Sequence, residues 1–396
     1  MSYRLSARGV SPPLNIDQTL PFNVAIVHEW LVARAGSEKV VERMLEVFPQ
    51  ADVFSLVKFL DLQTPPRIPS HTQVHTSFIQ HLPFAERHFR QYLPLMPLAV
   101  EQFDLGSYDV VLSSSHAVAF GAITRADQLH ISYVHTPIRY AWDLQHQYLH
   151  QSGLHRGVKS AITRVILHYL RLWSLAASHR VDCYLANSYH VARRIWKTYR
   201  RPAQVVYPPV AIDRFRWQQP REDFFLTVSR FVPYKRVDVT IQAFNELGLP
   251  LVVIGDGPAM DDLQRSAEGN ISFLRNPPDQ VVSDYMQRCR AFIFPAEEDF
   301  GITVVEAQAA GAPVIAYGRG GCAETVLPGK TGLLFSQQSA HSLVEAVHHF
   351  KDNHANFHAE VIRSHAERFS EQRFRDELTS FIANKWGKFQ QGNALE

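Results

Sequence analysis

The sequence is poor in features that mark several large protein classes. Its three cysteines, Cys183, Cys289 and Cys322, are far apart, and none belongs to a Cys-x-x-Cys pair. This spacing indicates neither a zinc site nor a disulfide framework, and it favours a reducing, cytoplasmic setting. No apolar run reaches the roughly 18 residues of a membrane-spanning helix. Residues 1–20 lack the pattern of a signal peptide, and we expect them to be an unstructured extension.

An excess of one charge is also missing. The chain has 40 lysine and arginine residues against 38 acidic residues, a net charge of +2 over 396 residues. Such a balance does not indicate nucleic-acid binding, although it permits local basic patches against an anionic membrane. The length favours two domains, and 46% hydrophobic residues are enough to build their cores.

Several catalytic motifs are absent. Gly255-Asp256-Gly257 lacks the third glycine of a dinucleotide-binding fingerprint, which counts against a nicotinamide-dependent dehydrogenase. The sequence contains neither a phosphate-binding loop of the G-x-x-x-x-G-K-[ST] type nor a G-x-S-x-G nucleophile elbow. It also offers no histidine and cysteine cluster, and no Asp-x-Asp pair, for a metal ion.

What the sequence does contain is an alternation of short apolar runs and helical segments. This alternation predicts an α/β fold with two Rossmann-like domains, whose parallel sheets face a cleft. Predicted strands cover 22–27, 110–112, 130–134, 183–186, 224–228, 251–254, 271–274, 291–294 and 313–316. Predicted helices cover 38–48, with Ser37 as N-cap, 159–179, 237–247, 279–289, 303–310, 340–350 and 371–389. The predicted segments of the chain are 1–20, 21–205, a linker over 206–223, 224–372, and a helix and tail over 373–396.

The segment 294–311 carries the most informative pattern. A buried strand ends at Phe294, a loop with three acids follows, and a helix begins near Gly301 or Ile302. The free N–H groups of a helix N-terminus suit a phosphate, and ligands of open α/β sheets bind beyond the carboxyl ends of strands. Glu306, about one turn into the helix, could bind ribose hydroxyls, and Glu298 could face a reacting sugar. Acids near a helix start are also common for structural reasons, and both interpretations remain open.

A basic loop follows the first strand of the second unit. Arg230 and Lys235 are well placed there to meet a diphosphate, arginine as a planar fork and lysine as a point charge. For a single basic residue, a solvated loop is the simpler explanation. The presence of Ser229-Arg230 and Lys235 together at the carboxyl end of one strand favours diphosphate binding.

Two segments of the first unit could complete a cleft. His135 follows a buried strand, and Arg139, Tyr140, Trp142 and Asp143, which suit sugar binding, come after it. A lone histidine is more often structural than catalytic. Gly36 precedes a helix, where a glycine can approach a phosphate or simply form a tight turn.

Together these segments resemble glycosyltransferase family 4, whose members have the two-domain GT-B fold. Glu298 and Glu306 resemble its E-x7-E motif, Ser229-Arg230 with Lys235 resembles its diphosphate-binding loop, and 35–38 resembles its G-G-x-E loop. The resemblance runs from about Phe22 to Phe389. Segments 113–119 and 135–143 are similar to a subgroup of bacterial mannosyltransferases that act in O-antigen and exopolysaccharide assembly.

The resemblance implies roles for individual residues. The first unit would bind the acceptor and the second the nucleotide-sugar donor. The implied donor-binding residues are Gly36, Ser229, Arg230, Lys235, Arg275, Glu298, Phe300, Gly301, Ile302, Thr303 and Glu306. The implied catalytic residues are His135, Glu298, Arg230 and Lys235, and the implied acceptor-binding residues are Arg139, Tyr140, Trp142 and Asp143. The sequence departs from the family at Ala35, where a first glycine is usual, and at Phe120, where the subgroup has a lysine.

The resemblance also implies a reaction. A retaining hexosyltransferase would move a hexose, with mannose from GDP-mannose expected, to a polyprenyl-diphosphate-linked glycan in bacterial polysaccharide biosynthesis. We expect no cofactor, no metal ion and no nucleic-acid partner. The protein would be cytoplasmic, with possible peripheral contact to the inner membrane through 84–103, which could equally be a core-covering segment. A nucleotide-sugar 2-epimerase and a non-catalytic partner subunit remain alternatives.

Overall fold

Two parallel β-sheets, one in each half of the chain, organise the fold. The computed structural model describes residues 21–60 and 65–395, so the predicted extension 1–20 lies outside the described residues. Strands of the first sheet are β1 (Val24–Leu31), β2 (Asp52–Lys58), β3 (Val74–Thr76), β4 (Val110–Ser115), β5 (Leu129–Val134), β6 (Cys183–Ala186) and β7 (Gln204–Val205). Their order is β3-β2-β1-β4-β5-β6-β7, and neighbouring strands are parallel.

The second sheet repeats this arrangement. Its strands are β8 (Phe225–Val228), β9 (Leu251–Ile254), β10 (Ile271–Leu274), β11 (Ala291–Phe294), β12 (Val314–Tyr317) and β13 (Gly332–Phe335). The order is β10-β9-β8-β11-β12-β13, again with parallel neighbours. In each sheet the strand order reverses beside the first strand, which is the arrangement of doubly wound nucleotide-binding domains.

Helices connect the strands and cover the sheets. They are α1 (Gly36–Val47), α2 (Ala85–His88), α3 (Met96–Glu101), α4 (Gln145–Gln151), α5 (Val158–Ser178), α6 (Tyr189–Tyr199), α7 (Val237–Leu247), α8 (Met260–Ser266), α9 (Asp279–Arg288), α10 (Ile302–Ala309), α11 (Cys322–Thr325), α12 (Ala340–Asn353), α13 (Ala359–Ala366) and α14 (Glu371–Gln390). In the described part of the chain, none is long and apolar enough to span a bilayer.

Both faces of the first sheet are buried, which explains its continuous apolar runs. In β1, Ala25 and Val27 belong to the core on one face of the sheet, whereas Val24 and Ile26 belong to the core on the other. Side chains alternate between the faces of a strand, so a strand covered on both sides is apolar throughout.

Helix α14 belongs to the first half of the fold although it ends the chain. Phe374, Leu378 and Ile382 are buried in the same core as Val24 and Ile26 of β1. The chain therefore crosses between the two halves twice, once through the predicted linker 206–223 and once before α14. A backbone hydrogen bond joins the two crossing segments, in which the N–H of Val210 donates to the carbonyl of Phe369 at 2.9 Å.

The predicted fold class and the predicted strands are confirmed, and some elements were missed. β2, β3, β7 and β13 have no counterpart among the predicted strands. The N-cap of α1 is Ala35, so the prediction of Ser37 was wrong. Glu38 takes the capping role instead, accepting hydrogen bonds from the N–H of Ala35 at 3.1 Å and the hydroxyl of Ser37 at 3.0 Å.

The segment 84–103 is largely a cover for the first core. Phe89 and Met96, two residues on which the membrane interpretation depended, are buried. The ring of Phe89 packs against that of Trp30, with 5.4 Å between centroids. Phe84, Leu95 and Leu98 remain exposed. The segment therefore contributes part of its apolar surface to the core and leaves part of it exposed.

Candidate active site between the two sheets

The reversal points of the two sheets face each other across a cleft. In the first sheet the loops after β1 and β4 reach the cleft, and in the second sheet those after β8 and β11 do. The cleft has a volume of about 510 Å³. Predicted site residues that line it are Gly36, His135, Arg139, Tyr140, Lys235, Glu298, Phe300, Gly301, Ile302 and Thr303. Additional lining residues are Ala35, Ser37, His116, Thr136, Tyr148, Asn187, Pro208, Tyr234, Phe294 and Asp299.

An ion pair joins the basic loop and the acidic loop of the second domain. The ammonium nitrogen of Lys235 lies 2.7 Å from Oε1 of Glu298, and each side chain is 17% exposed. Both residues follow neighbouring strands, β8 and β11, which brings their side chains together at the carboxyl edge of the sheet. The pair fixes a positive charge beside a carboxylate at the wall of the cleft.

Two helix N-termini meet in the cleft. Helix α10 begins directly after Gly301, whose φ of +86° lies in the left-handed region that favours glycine. Helix α1 begins at Gly36, and a Cβ atom there would lie only 3.0 Å from Cδ1 of Ile302. The first N–H groups of a helix lack partners within the helix, so both ends can bind an anion. Gly36 permits this close approach of the two helices.

His135 lies deep in the cleft wall and is held on two sides. The hydroxyl of Ser114 lies 2.9 Å from Nε2 of the ring, and the side chain of Asn187 donates to the backbone carbonyl of His135 at 2.9 Å. Burial lowers the pKa of His135 to about 3, and neighbouring His116 and His28 add to the shift. The imidazole is therefore neutral at neutral pH and can take part in neutral hydrogen bonds.

Glu29 is a site-supporting residue for which we predicted no role. Its Oε1 accepts hydrogen bonds from the hydroxyl of Ser115 and from the four N–H groups of residues 116–119, all at 2.8–3.1 Å. Its Oε2 lies 3.1 Å from Nδ1 of His116, a residue that lines the cleft. Burial alone would raise the pKa of Glu29, but His116, His28 and the amide donors outweigh it and lower that pKa. The only hint in the sequence is an acid inside a buried strand.

Asp299 ties the two domains together at the cleft. Its carboxylate pairs with Arg139, and it also accepts from Arg194 of α6 at 2.7 Å. The second nitrogen of Arg194 pairs with Asp143 at 2.7 Å. One acid of the second domain therefore holds two arginines of the first, and Arg139 lines the cleft as part of this network.

Glu306 lies behind the cleft lining and is already paired. Its Oε1 is 3.3 Å from a guanidinium nitrogen of Arg214 and 3.6 Å from the ammonium nitrogen of Lys39 on α1. Its position one turn into α10 agrees with the prediction. A hydroxyl ligand would have to share this carboxylate with two cations.

Other predicted site residues lie outside the cleft lining. The Trp142 ring packs edge-on against Tyr199, with 6.5 Å between centroids, and Asp143 is engaged by Arg194. Arg275 is exposed and pairs with Asp256 at 3.0 Å. The structure therefore does not bring these three residues together with His135 and Glu298.

Ser229 and Arg230 also lie outside the lining. The hydroxyl of Ser229 donates to the carbonyl of Arg230 at 3.4 Å, and the side chain of Arg230 is exposed. Of the predicted diphosphate-binding pair, only Lys235 points into the cleft.

The second domain matches a known family model. Residues 211–372 match the model described as glycosyl transferases group 1. The matched region contains β8 to β13, both loops of the Lys235–Glu298 pair and the start of α10. The specific part of the similarity is thus the half that carries the predicted donor site.

Curated relatives show partial similarity. The GDP-mannose-dependent alpha-(1-6)-phosphatidylinositol monomannoside mannosyltransferase of Mycolicibacterium smegmatis is 33% identical over 138 residues, 30% of this chain and 36% of that protein. O-antigen chain mannosyltransferase C of Escherichia coli is 27% identical over 194 residues, 44% of this chain and 52% of that protein. The alignments thus span about a third to about half of the length of these relatives.

A solved structure matches nearly the whole chain. Anabaena HepE in complex with UDP and glucose superposes with a TM-score of 0.66 at 16% identity, covering 91% of this chain and 99% of that chain. At 16% identity, this match shows only that the two chains share a fold. The chain therefore has the two-domain GT-B fold, and its residues 211–372 form a domain of the glycosyl transferases group 1 family.

Proposed function

We propose that this protein is a retaining glycosyltransferase that moves a hexose from a nucleoside diphosphate sugar to an acceptor hydroxyl. The observation that carries the proposal is the cleft in which the N-termini of α1 and α10 meet beside Lys235 and Glu298. Helix N-termini and a lysine suit a diphosphate, and a carboxylate beside them suits sugar hydroxyls.

The diphosphate of the donor would lie between Gly36 and Gly301. The free N–H groups at both helix starts and the ammonium group of Lys235 would bind its oxygens. Arg230 is exposed and lies outside the cleft lining, so it would reach the diphosphate only after its side chain moves. The other donors have fixed positions before the reaction, so they stabilise the charge that develops on the leaving diphosphate.

The transferred sugar would lie between Glu298 and His135. We propose that the bond from the anomeric carbon to the phosphate oxygen breaks as the acceptor oxygen bonds to the same face of that carbon. The acceptor proton passes to the leaving phosphate oxygen, which balances the step. Neutral His135 would hydrogen bond near the anomeric centre, and Glu298 would bind sugar hydroxyls. Because the phosphate takes the proton, no ionised histidine is needed.

The nucleoside would extend past the start of α10. Glu306 lies one turn into this helix, where its carboxylate can accept hydrogen bonds from ribose hydroxyls. Lys39 and Arg214 hold this carboxylate in position, at the distances given above. The proposal therefore requires Glu306 to keep its cationic partners while it accepts from the ribose.

GDP-mannose is the donor we propose. The support comes from two relatives whose names contain mannosyltransferase, one of them GDP-mannose-dependent. Anabaena HepE, which was crystallised with UDP and glucose, shares only the fold at 16% identity, so it favours no base for this chain. The same two relatives, one acting on a phosphatidylinositol mannoside and one on O-antigen chains, support a lipid-linked glycan as the acceptor.

We also propose that the reaction needs no metal ion. The support is the set of fixed positive groups at the diphosphate position, Lys235 and two helix N-termini, which supply the charge a divalent cation would otherwise provide. Activity that EDTA abolishes and Mg²⁺ restores would contradict this part of the proposal.

A transfer assay tests the proposed function. Purified protein is incubated with GDP-mannose, UDP-glucose or UDP-N-acetylglucosamine, each with and without a polyprenyl-diphosphate-linked oligosaccharide, and products are separated by mass. We expect an added hexose from GDP-mannose only when the acceptor is present. Conversion of the donor sugar without acceptor would instead indicate an epimerase. No product from any donor would contradict enzymatic transfer.

A further inference from the structure

Helix α5 carries an apolar stripe on the side that faces away from the protein. Val158, Ile162, Val165, Tyr169 and Leu172 are exposed, and they follow one another at intervals of four and three residues. Residues at these intervals lie along one side of a helix. Val158 and Val165 are 77% and 69% exposed. The stripe runs along most of a helix that is about 30 Å long.

The other side of α5 already forms its contact with the protein. Leu167, Leu170 and Ala177 are buried, and Trp173 is 9% exposed. A surface helix normally has one apolar face, which packs against the core, and a polar face toward water. Because α5 has a second apolar face, the stripe is not explained by the folding of this chain. Contiguous exposed apolar surface marks a binding surface.

The charged residues of α5 and of the segments that flank it in sequence have one sign. The sequence contains no acidic residue between Asp143 and Asp182, while Arg156, Lys159 and Arg164 lie at or beside the N-terminal half of α5. Such a helix, apolar on one side with basic residues at its edges, suits a surface that is apolar inside and anionic at its boundary.

A second copy of this chain fits the stripe less well. Two α5 helices would bring basic residues together with no acid on either helix to pair them. One exposed helix face also provides only a few hundred Å² on each molecule, below the roughly 1,000 Å² of a stable interface.

We propose that α5 lies along the surface of an anionic lipid bilayer. Val158, Ile162, Val165 and Leu172 would enter the boundary between headgroups and acyl chains, and Tyr169 would lie at that boundary. Arg156 and Lys159 would contact lipid phosphates. Segment 84–103 is a different stretch of the chain, in which Phe89 and Met96 are buried whereas Leu95 and Leu98 are exposed.

The position of α5 relates the bilayer to the cleft. Leu167 and Leu170 pack against Ile138 and Leu149, on either side of the cleft-lining residues Arg139 and Tyr140. The bilayer would therefore lie one helix away from the acceptor side of the cleft. This consequence rests on the proposed function, whereas lipid binding by α5 does not.

Vesicle flotation of the full chain tests the proposal. Vesicles of phosphatidylcholine alone are compared with vesicles that also contain phosphatidylglycerol, for the wild type and for Val165→Asp, Leu172→Asp and Lys159→Glu. Val361→Asp serves as the control, since Val361 is an exposed valine on α13 of the other domain. Thermal melting confirms that each variant is folded, and Val165→Ser replaces any aspartate variant that is not.

We expect the wild type to float with anionic vesicles and the control to match it. Each stripe variant should bind at least roughly tenfold more weakly, because an apolar side chain leaves the acyl boundary. Lys159→Glu should also weaken binding, and added salt should do the same. Binding that is lost with salt but unchanged in the folded stripe variants would overturn the proposal.

Two further outcomes would also overturn it. In the first, the wild type binds neither kind of vesicle. In the second, the wild type forms a dimer that Val165→Asp dissociates, which would mean that a second copy of the chain covers the stripe. Sugar transfer to a soluble acceptor separates this proposal from the proposed function. Stripe variants that keep such transfer but lose vesicle binding support the lipid surface. Wild type that transfers sugar but does not bind vesicles contradicts the lipid surface alone.

Discussion

Lys235 and Glu298 illustrate how single residues prepare the cleft. Each would be costly to bury alone, and their 2.7 Å contact offsets part of that cost. A bound diphosphate would compete with Glu298 for the ammonium group. The side chain of Lys235 would then pair with the ligand instead of with Glu298.

Replacing Lys235 tests the role of its charge. We expect Lys235→Ala to weaken binding of GDP and GDP-mannose roughly 10- to 100-fold, since a hydrogen bond to a charged group contributes about 1.5–3 kcal/mol. Isothermal titration calorimetry measures the change. Lys330→Ala, an exposed lysine of the same domain, is the control and should bind like the wild type. Unchanged affinity of Lys235→Ala would show that the diphosphate binds elsewhere.

Glu29 contributes to stability in a way that depends on pH. Its pKa in the folded protein is lowered from an ordinary value of 4.5. A group with a depressed folded pKa stabilises the protein above its unfolded pKa, and this contribution is lost as the pH falls below that value. The stabilisation from Glu29 is therefore complete at neutral pH and declines below about pH 4.5.

Glu29→Gln should remove this dependence. We expect the variant to be less stable than the wild type at neutral pH by about 1–3 kcal/mol, because an ionised acceptor of five hydrogen bonds is replaced by a neutral amide. The difference should shrink toward about pH 4 and below. Urea unfolding across this pH range measures it. A difference that stays constant with pH would mean that Glu29 is not ionised in the folded protein.

At the scale of elements, the loop between β11 and α10 has two tasks. Glu298 points toward the cleft, whereas the next residue, Asp299, binds Arg139 and Arg194 of the first domain. The loop therefore couples the Lys235–Glu298 pair to the position of the other domain. Glu297, which precedes both, is exposed and provides a matched comparison.

Neutralising Asp299 should loosen the contact between the domains. Asp299→Asn removes the carboxylate that Arg139 and Arg194 share and leaves Arg194 with Asp143 alone, so we expect a loss of about 1–3 kcal/mol of stability. The radius of gyration in X-ray scattering should also rise, because the domains open about the two crossings. Glu297→Gln should change neither quantity. Equal melting temperature and equal radius for Asp299→Asn and the wild type would contradict the coupling.

The elements that the sequence predicts well are those with strong local signals. The strand ending at Phe294, the glycine at 301 and the following helix are adjacent, so the loop between β11 and α10 could be predicted. β2 was missed because Asp52, Ser55 and Lys58 interrupt its apolar pattern.

Side-chain direction was harder to predict than element type. Trp142 and Asp143 follow His135 closely in sequence, but their partners are Tyr199 and Arg194 of α6, more than 50 residues away. No local pattern contains that contact. The ion pairs of Arg139 and Glu306 with the opposite domain were unpredictable for the same reason.

At the scale of the whole molecule, two crossings join the domains and the cleft lies between them. The segments that contain Val210 and Phe369 run side by side, and α14 anchors the end of the chain in the first domain. Movement of the domains must therefore bend both segments together, which suits a hinge that closes on a ligand. Closure would exclude water from the cleft and limit hydrolysis of the donor.

Hydrogen exchange with and without GDP-mannose tests the central claim most directly. In the proposed complex, the donor diphosphate lies between the N-termini of α1 and α10, which belong to different domains. We predict that GDP-mannose slows exchange in both regions, 36–40 and 301–306, and that Lys235→Ala removes both effects at the same ligand concentration. Protection confined to one domain, or to a region away from these two helix starts, would contradict this placement of the diphosphate.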